Sequence, residues 1–181
     1  MQFTSAWEAD PAAALTRLNS LMIASGIADR FVTLVAAILD PLSHTVTLVN
    51  AGHPSPLIYH RATRTVGEAI SNEVTGFPIG VVDGFEYASC QVGLEPGDSI
   101  LAFTDGVTEA MDVNNVQLQA KGVHVAVQGE AYSPRELGER VVQVVKQFAA
   151  GRSQHDDIAL VGFGRTGQGL DCVPMSQVSI R

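Results

Sequence analysis

Apolar positions along this chain recur at two periods, and the switches between them mark out its elements. Leu15, Leu18 and Met22 stand at helical spacing behind Asp10-Pro11, with an acid at the cap, proline at the first helical position and Gly26 as a stop, which predicts a first helix. Residues 31–39 are almost wholly apolar and end at Asp40-Pro41. Thr45-Val46-Thr47-Leu48-Val49 follows a short polar turn, so the two segments read as an antiparallel hairpin. Asn50-Ala51-Gly52-His53-Pro54-Ser55-Pro56-Leu57 is a glycine and proline loop, incompatible with helix, that leads into a short strand at Leu57, Ile58 and Tyr59.

Residues 67–84 lack a sustained period and contain Gly76-Phe77-Pro78-Ile79-Gly80, an ordered loop crossing a sheet. Residues 85–92 and 100–103 read as strands joined through Leu94-Glu95-Pro96-Gly97-Asp98, which predicts a second hairpin. Ser133-Pro134-Arg135-Glu136 is a capping box, and Leu137, Val141, Val144, Val145 and Phe148 continue it at helical spacing to Gly151, the clearest helix in the chain. Residues 158–163 form a last strand. Beyond them the composition turns to Gly, Ser, Thr and Gln without a core period, so residues 165–181 are expected as a flexible tail behind a single domain of residues 1–164. Strand hairpins flanked by a few helices, without regular βαβ alternation, indicate an α+β layered domain.

Composition narrows the function classes. In 181 residues, Lys and Arg total 11 against 19 Asp and Glu, a net charge of -8 with no basic stripe, which disfavours a nucleic-acid partner. Cys90 and Cys172 are too few and too far apart for a disulfide framework or a zinc pattern. No apolar run reaches the length of a membrane span and the start lacks a signal-peptide pattern, so a soluble, cytoplasmic protein is expected. Phe3 and Trp7 read as remnants of a core helix.

The chemistry-bearing positions are two carboxylate turns at the ends of apolar strands. Ile100-Leu101-Ala102-Phe103 runs into Thr104-Asp105-Gly106, and His155-Asp156-Asp157 runs into Ile158-Ala159-Leu160-Val161. Either turn alone is ordinary turn chemistry. Together they offer oxygen ligands of the kind that suits magnesium or manganese, ions that keep open positions for water and phosphate. His53, held between Gly52 and Pro54, reads as a loop-bonding residue before a general acid; His155 reads as a turn residue and Glu109 as a solvated acid. An aspartic-protease site would need Asp-Thr-Gly or Asp-Ser-Gly twice, and neither occurs.

In order, Phe31-Val32-Thr33-Leu34, Asn50-Ala51-Gly52-His53-Pro54, Gly76-Phe77-Pro78-Ile79-Gly80, Leu94-Glu95-Pro96-Gly97-Asp98, Phe103-Thr104-Asp105-Gly106-Val107-Thr108-Glu109-Ala110 and Asp156-Asp157-Ile158-Ala159-Leu160-Val161 resemble one family. It is the SpoIIE-like branch of the metal-dependent (PPM, type 2C) serine/threonine phosphatases. The resemblance implies an antiparallel β-sandwich flanked by helices and a pair of Mn²⁺ or Mg²⁺ ions at one edge, with Asp105 and Asp156 as metal ligands and catalytic residues and Asp157 orienting its loop. Two such ions about 4 Å apart activate a bridging water for in-line attack on a phosphoryl group, without a nucleophilic side chain.

The resemblance further implies a phosphoserine or phosphothreonine substrate on a bacterial regulatory protein, such as an anti-sigma-factor antagonist in stress signalling. Members also carry an earlier strand and loop with an ion-bridging Asp and an Asp-x-x-Gly-x-Gly turn. Residues 1–10 hold no such segment, so the chain is expected to correspond to the C-terminal portion of a catalytic domain, with an incomplete two-ion site and a tendency to self-associate through uncovered sheet. A catalytically incomplete interaction module is the alternative. A second departure follows Ala110, where residues 111–129 read as a polar turn and a valine-rich stretch, a region where substrate choice is expected to differ.

Overall fold

The computed structural model describes residues 10–26, 30–130, 132–153, 156–166 and 169–171. In chain order the elements are α1 (Pro11–Ala24), β1 (Leu34–Asp40), β2 (Thr45–Ala51), β3 (Leu57–His60), β4 (Thr65–Glu68), β5 (Ser89–Gly93), β6 (Ser99–Phe103), α2 (Gln119–Val127), α3 (Pro134–Ala149), β7 (Leu160–Thr166) and β8 (Gly169–Asp171). The architecture is α+β with antiparallel sheets, as the hairpin pattern predicts. It divides into two units, Met1–Ser55 with Ile70–Gly93, and Pro56–Ala69 with Leu94–Arg181.

The first unit holds α1 and a three-stranded sheet of order β1-β2-β5. The α1 start follows from its sequence, since the Asp10 carboxylate accepts the Ala12 amide at 2.9 Å and Pro11 occupies the first turn. Its buried face sets Ala12 and Leu15 among Val49, Ala51, Ile79 and Tyr87. β1 and β2 form the expected hairpin, in register from Leu34↔Ala51 to Asp40↔Thr45, and Asp40 closes the turn by accepting the Leu42 amide at 2.8 Å. The strand begins later than the apolar run because Val32 exchanges backbone hydrogen bonds with Ile79 instead.

The second unit carries the sheet β4-β3-β6-β7-β8 with α2 and α3. Its core gathers Leu57, Tyr59, Leu101 and Phe103 from the sheet with Val123 from α2, and Leu137 and Val141 from α3. Burying a leucine as completely as Leu101 or Leu137 stabilises by about 1.5–3 kcal/mol. α3 opens with the predicted capping box: Ser133 Oγ accepts the Glu136 amide and Glu136 Oε2 accepts the Ser133 amide at 2.7 Å.

Several expectations are corrected. The predicted second hairpin does not form, because β5 pairs with β2 whereas β6 pairs with β3 and β7. Three bonds between segments distant in sequence accompany this pairing. The Tyr87 amide donates to Thr16 Oγ1 at 3.1 Å, delaying the strand to Ser89, and the turn acid Asp98 binds back to β3, accepting the Arg61 amide at 3.1 Å and meeting His60 Nδ1 at 2.9 Å. Within the segment expected as a tail, β7 continues to Thr166 and β8 pairs onto it through Arg165↔Leu170. Phe3, Trp7, His155 and Cys172 lie outside the described residues. Among the described residues, no helix is long and apolar enough to cross a membrane.

Candidate metal centre

Both carboxylate turns lie in the second unit, at one end of the β6/β7 pair. That pair is in register from Ser99↔Gly164 to Phe103↔Leu160, so the chain leaving β6 at Thr104 runs beside the chain arriving at β7 from Asp156. Thr104 fastens one to the other. Its amide donates to the Ala159 carbonyl at 3.0 Å, its hydroxyl donates to the Asp157 carbonyl at 2.9 Å, and the same oxygen accepts the Ala159 amide at 3.0 Å. A hydroxyl is the one small group that can donate to one strand end and accept from it as well.

Gly106 completes the approach. A Cβ at this position would lie 2.7 Å from the Asp157 carbonyl oxygen and 3.2 Å from that of Asp156, so only glycine allows the two turns this spacing. Asp105 therefore stands on a turn whose backbone touches the turn that carries Asp156. After Asp105 the chain makes one helical turn, with the Glu109 amide bonded to the Asp105 carbonyl at 2.8 Å, and Glu109 is solvent-exposed.

Asp105, Asp156 and Asp157 are all exposed. Asp157 shapes its turn through backbone groups: its carbonyl takes the Thr104 hydroxyl, and its amide donates to Asp156 Oδ1 at 2.7 Å. The donor set is oxygen only and open to water, which fits a hard divalent cation held by one or two carboxylates that keeps several waters. Among the described residues, no three His, Cys, Asp or Glu side chains come together in a metal-binding group. The described residues therefore do not by themselves compose the two-ion site that the resemblance implies.

His53 lies in the other unit and spends its polar groups on its own loop. Its amide donates to Asn50 Oδ1 at 2.9 Å, its carbonyl accepts Asn50 Nδ2 at 2.8 Å, and Nδ1 lies 3.1 Å from the Pro54 carbonyl oxygen. Buried Asn50 thus folds the Asn-Ala-Gly-His-Pro loop, and its carbonyl receives the Gly76 amide at 2.9 Å, which joins this loop to Gly76-Phe77-Pro78-Ile79-Gly80. Sequence reasoning assigned Thr104 and Asn50 no role. The available signal was local: a hydroxyl residue between a strand and Asp-Gly, and an Asx residue opening a Gly-Pro loop.

Comparison with known proteins bears on the family and the fold. Residues 2–166 match the family model described as Stage II sporulation protein E (SpoIIE). The phosphoserine phosphatase RsbU of Bacillus subtilis (strain 168) is 30% identical over 104 residues, 58% of this chain and 30% of that protein, so the chain spans under a third of the length of this curated relative. The solved PP2C phosphatase domain of the cell fate determinant SpoIIE from Bacillus subtilis, with a fragment of its regulatory domain, is 20% identical at a TM-score of 0.68, covering 84% of this chain and 43% of that one. A manganese-presoaked structure of that phosphatase domain gives 16% identity and a TM-score of 0.59, over 90% of this chain and 77% of that one. These structures share the fold, and with the family model running from residue 2 to the end of β7, the chain belongs to the SpoIIE family.

Proposed function

We propose that this chain performs metal-dependent hydrolysis of phosphoserine or phosphothreonine on a bacterial regulatory protein, with Asp105 and Asp156 holding Mn²⁺ or Mg²⁺. The observation that carries the reading is the fastening of the two acid turns by Thr104 and Gly106, which brings two exposed carboxylate-bearing backbones together on rigid strand ends. When bound, such an ion lowers the pKa of a coordinated water to near neutrality and neutralises phosphoryl oxygens. The chain's own part is positional: the carboxylates would hold the ion at the sheet edge, and the Asp157 amide fixes one Asp156 oxygen at 2.7 Å. The partner implied is a phosphorylated regulatory protein of the anti-sigma-factor-antagonist type, and the compartment is the cytoplasm.

A second reading has its own observation. Because no third acid joins the pair among the described residues, the chain could serve as a catalytically incomplete interaction module. Mn²⁺-dependent hydrolysis of a generic phosphoester, run beside Asp105→Asn and calorimetric titration of Mn²⁺, separates the two. The phosphatase reading expects turnover that needs Mn²⁺ and falls at least about a hundredfold in Asp105→Asn. Absence of both turnover and Mn²⁺ binding overturns it in favour of the interaction module.

A further inference from the structure

Between the Asp105 turn and α2 the chain makes an excursion whose base is closed onto that turn. The Gln119 amide donates to the Thr108 carbonyl at 2.8 Å, the Leu118 amide to the Ala110 carbonyl at 2.9 Å, and Met111 bridges Gln117. Inside it Asp112 organises the tip. Its Oδ1 accepts the amides of Val116 at 2.9 Å and Asn114 at 2.8 Å, and the Val116 bond first holds its carboxyl below the usual carboxylate range. Beside the exposed Asn114 and Asn115, the tip presents two apolar side chains to water: Val113 is 68% and Val116 56% exposed.

Arg152 ties this tip to the other acid turn. Its Nη1 donates to the Asp112 carbonyl at 2.8 Å and to Asn115 Oδ1 at 2.7 Å, and Arg152 stands on the segment between α3 and Asp156, four residues ahead of that acid. The excursion is thus anchored at its base to the backbone of one candidate ligand and at its tip to the approach of the other. An exposed valine pair has no role in holding an ion, but apolar side chains of this kind suit contact with a polypeptide.

We propose that residues 111–117 form the element that selects among protein substrates, with Val113 and Val116 contacting an apolar residue beside the phosphoresidue and Arg152 as the positioning residue that holds the tip over the site. The occupant is a phosphoserine peptide segment with an apolar flank, an identity that rests on the phosphatase reading above. The bonds at its base join the valine tip to the turn that carries Asp105, so the spacing between phosphate and flanking side chain becomes a selection rule.

The test uses two fluorescent peptides carrying the non-hydrolysable phosphonate analogue of phosphoserine, one flanked by leucine and one by serine, titrated against the full chain with Mn²⁺ present. Wild-type protein is expected to bind the leucine peptide about fourfold or more tightly, the scale of one buried methylene. Val113→Ser/Val116→Ser should abolish the preference while leaving the unfolding midpoint in place. Arg152→Ala should reduce the preference, and Arg152→Lys should restore part of it. Equal binding of the two peptides by the wild type, or a preference that survives Val113→Ser/Val116→Ser, overturns the inference. Wild-type hydrolysis of a small phosphoester scores the phosphatase reading separately, since the binding arm needs no turnover.

Discussion

At the scale of single residues, Thr104 and Gly106 carry as much of the candidate site as the acids they flank. Gly106→Ala would set a Cβ 2.7 Å from the Asp157 carbonyl oxygen, a backbone atom that cannot step aside without moving the second turn. The expected cost is about 1–3 kcal/mol of overpacking. More telling is the effect on ion binding: Mn²⁺ should raise the unfolding midpoint of wild-type protein by mass action and raise that of Gly106→Ala clearly less. Equal midpoint shifts in thermal melts with and without Mn²⁺ would show that the spacing of the turns is irrelevant to the ion. Asp105 and Asp156 were legible in the sequence because acids beside apolar strands stand out. The clamp between them was not, since Thr104 gains its meaning only when Ala159 and Asp157 arrive from more than fifty residues away.

At the scale of elements, legibility followed the strength of local signals. α3 was evident because Ser133, Pro134 and Glu136 declare its start, and that box can be tested directly. Ser133→Ala should cost about 1 kcal/mol in urea denaturation. Glu136 has its carboxyl held below the ordinary 4.5, first by the Ser133 amide, so the stability it contributes is complete above that value and is lost as pH falls through the lowered folded one. Glu136→Gln should therefore flatten the acid limb of the stability profile, and an unchanged acid limb in chemical denaturation would exclude the box as its source. α2 escaped notice for the opposite reasons. It has no capping side chain at Leu118, it contains Gly122, and its Val123, Val125 and Val127 have weak helix propensity. Burial of Val123 and Val127 in the core overrides that preference. β4 was hidden likewise, four residues with a glycine among them that pair with β3 from Leu57↔Glu68 to His60↔Thr65.

At the scale of the whole molecule, the charge of -8 and the edges of the sheets decide how copies meet. Among the described residues β1 has a strand partner on one side only, and Ile38 on it is 45% exposed. Such an edge templates pairing, so sedimentation should show mass rising with protein concentration, and Ile38→Lys should suppress the rise. A wild-type mass constant at the monomer value would remove this edge as an association surface. The division into two units has a consequence for biosynthesis. The chain passes from one unit to the other at Ser55/Pro56, again at Ala69/Ile70 and a third time at Gly93/Leu94. β3 emerges from the ribosome some forty residues before its partner β6, and β6 some sixty before β7. Nascent Leu57 and Tyr59 must therefore wait, uncovered, for Leu101, Leu137 and Val141, which makes the half-synthesised chain the stage most exposed to aggregation and most dependent on chaperones.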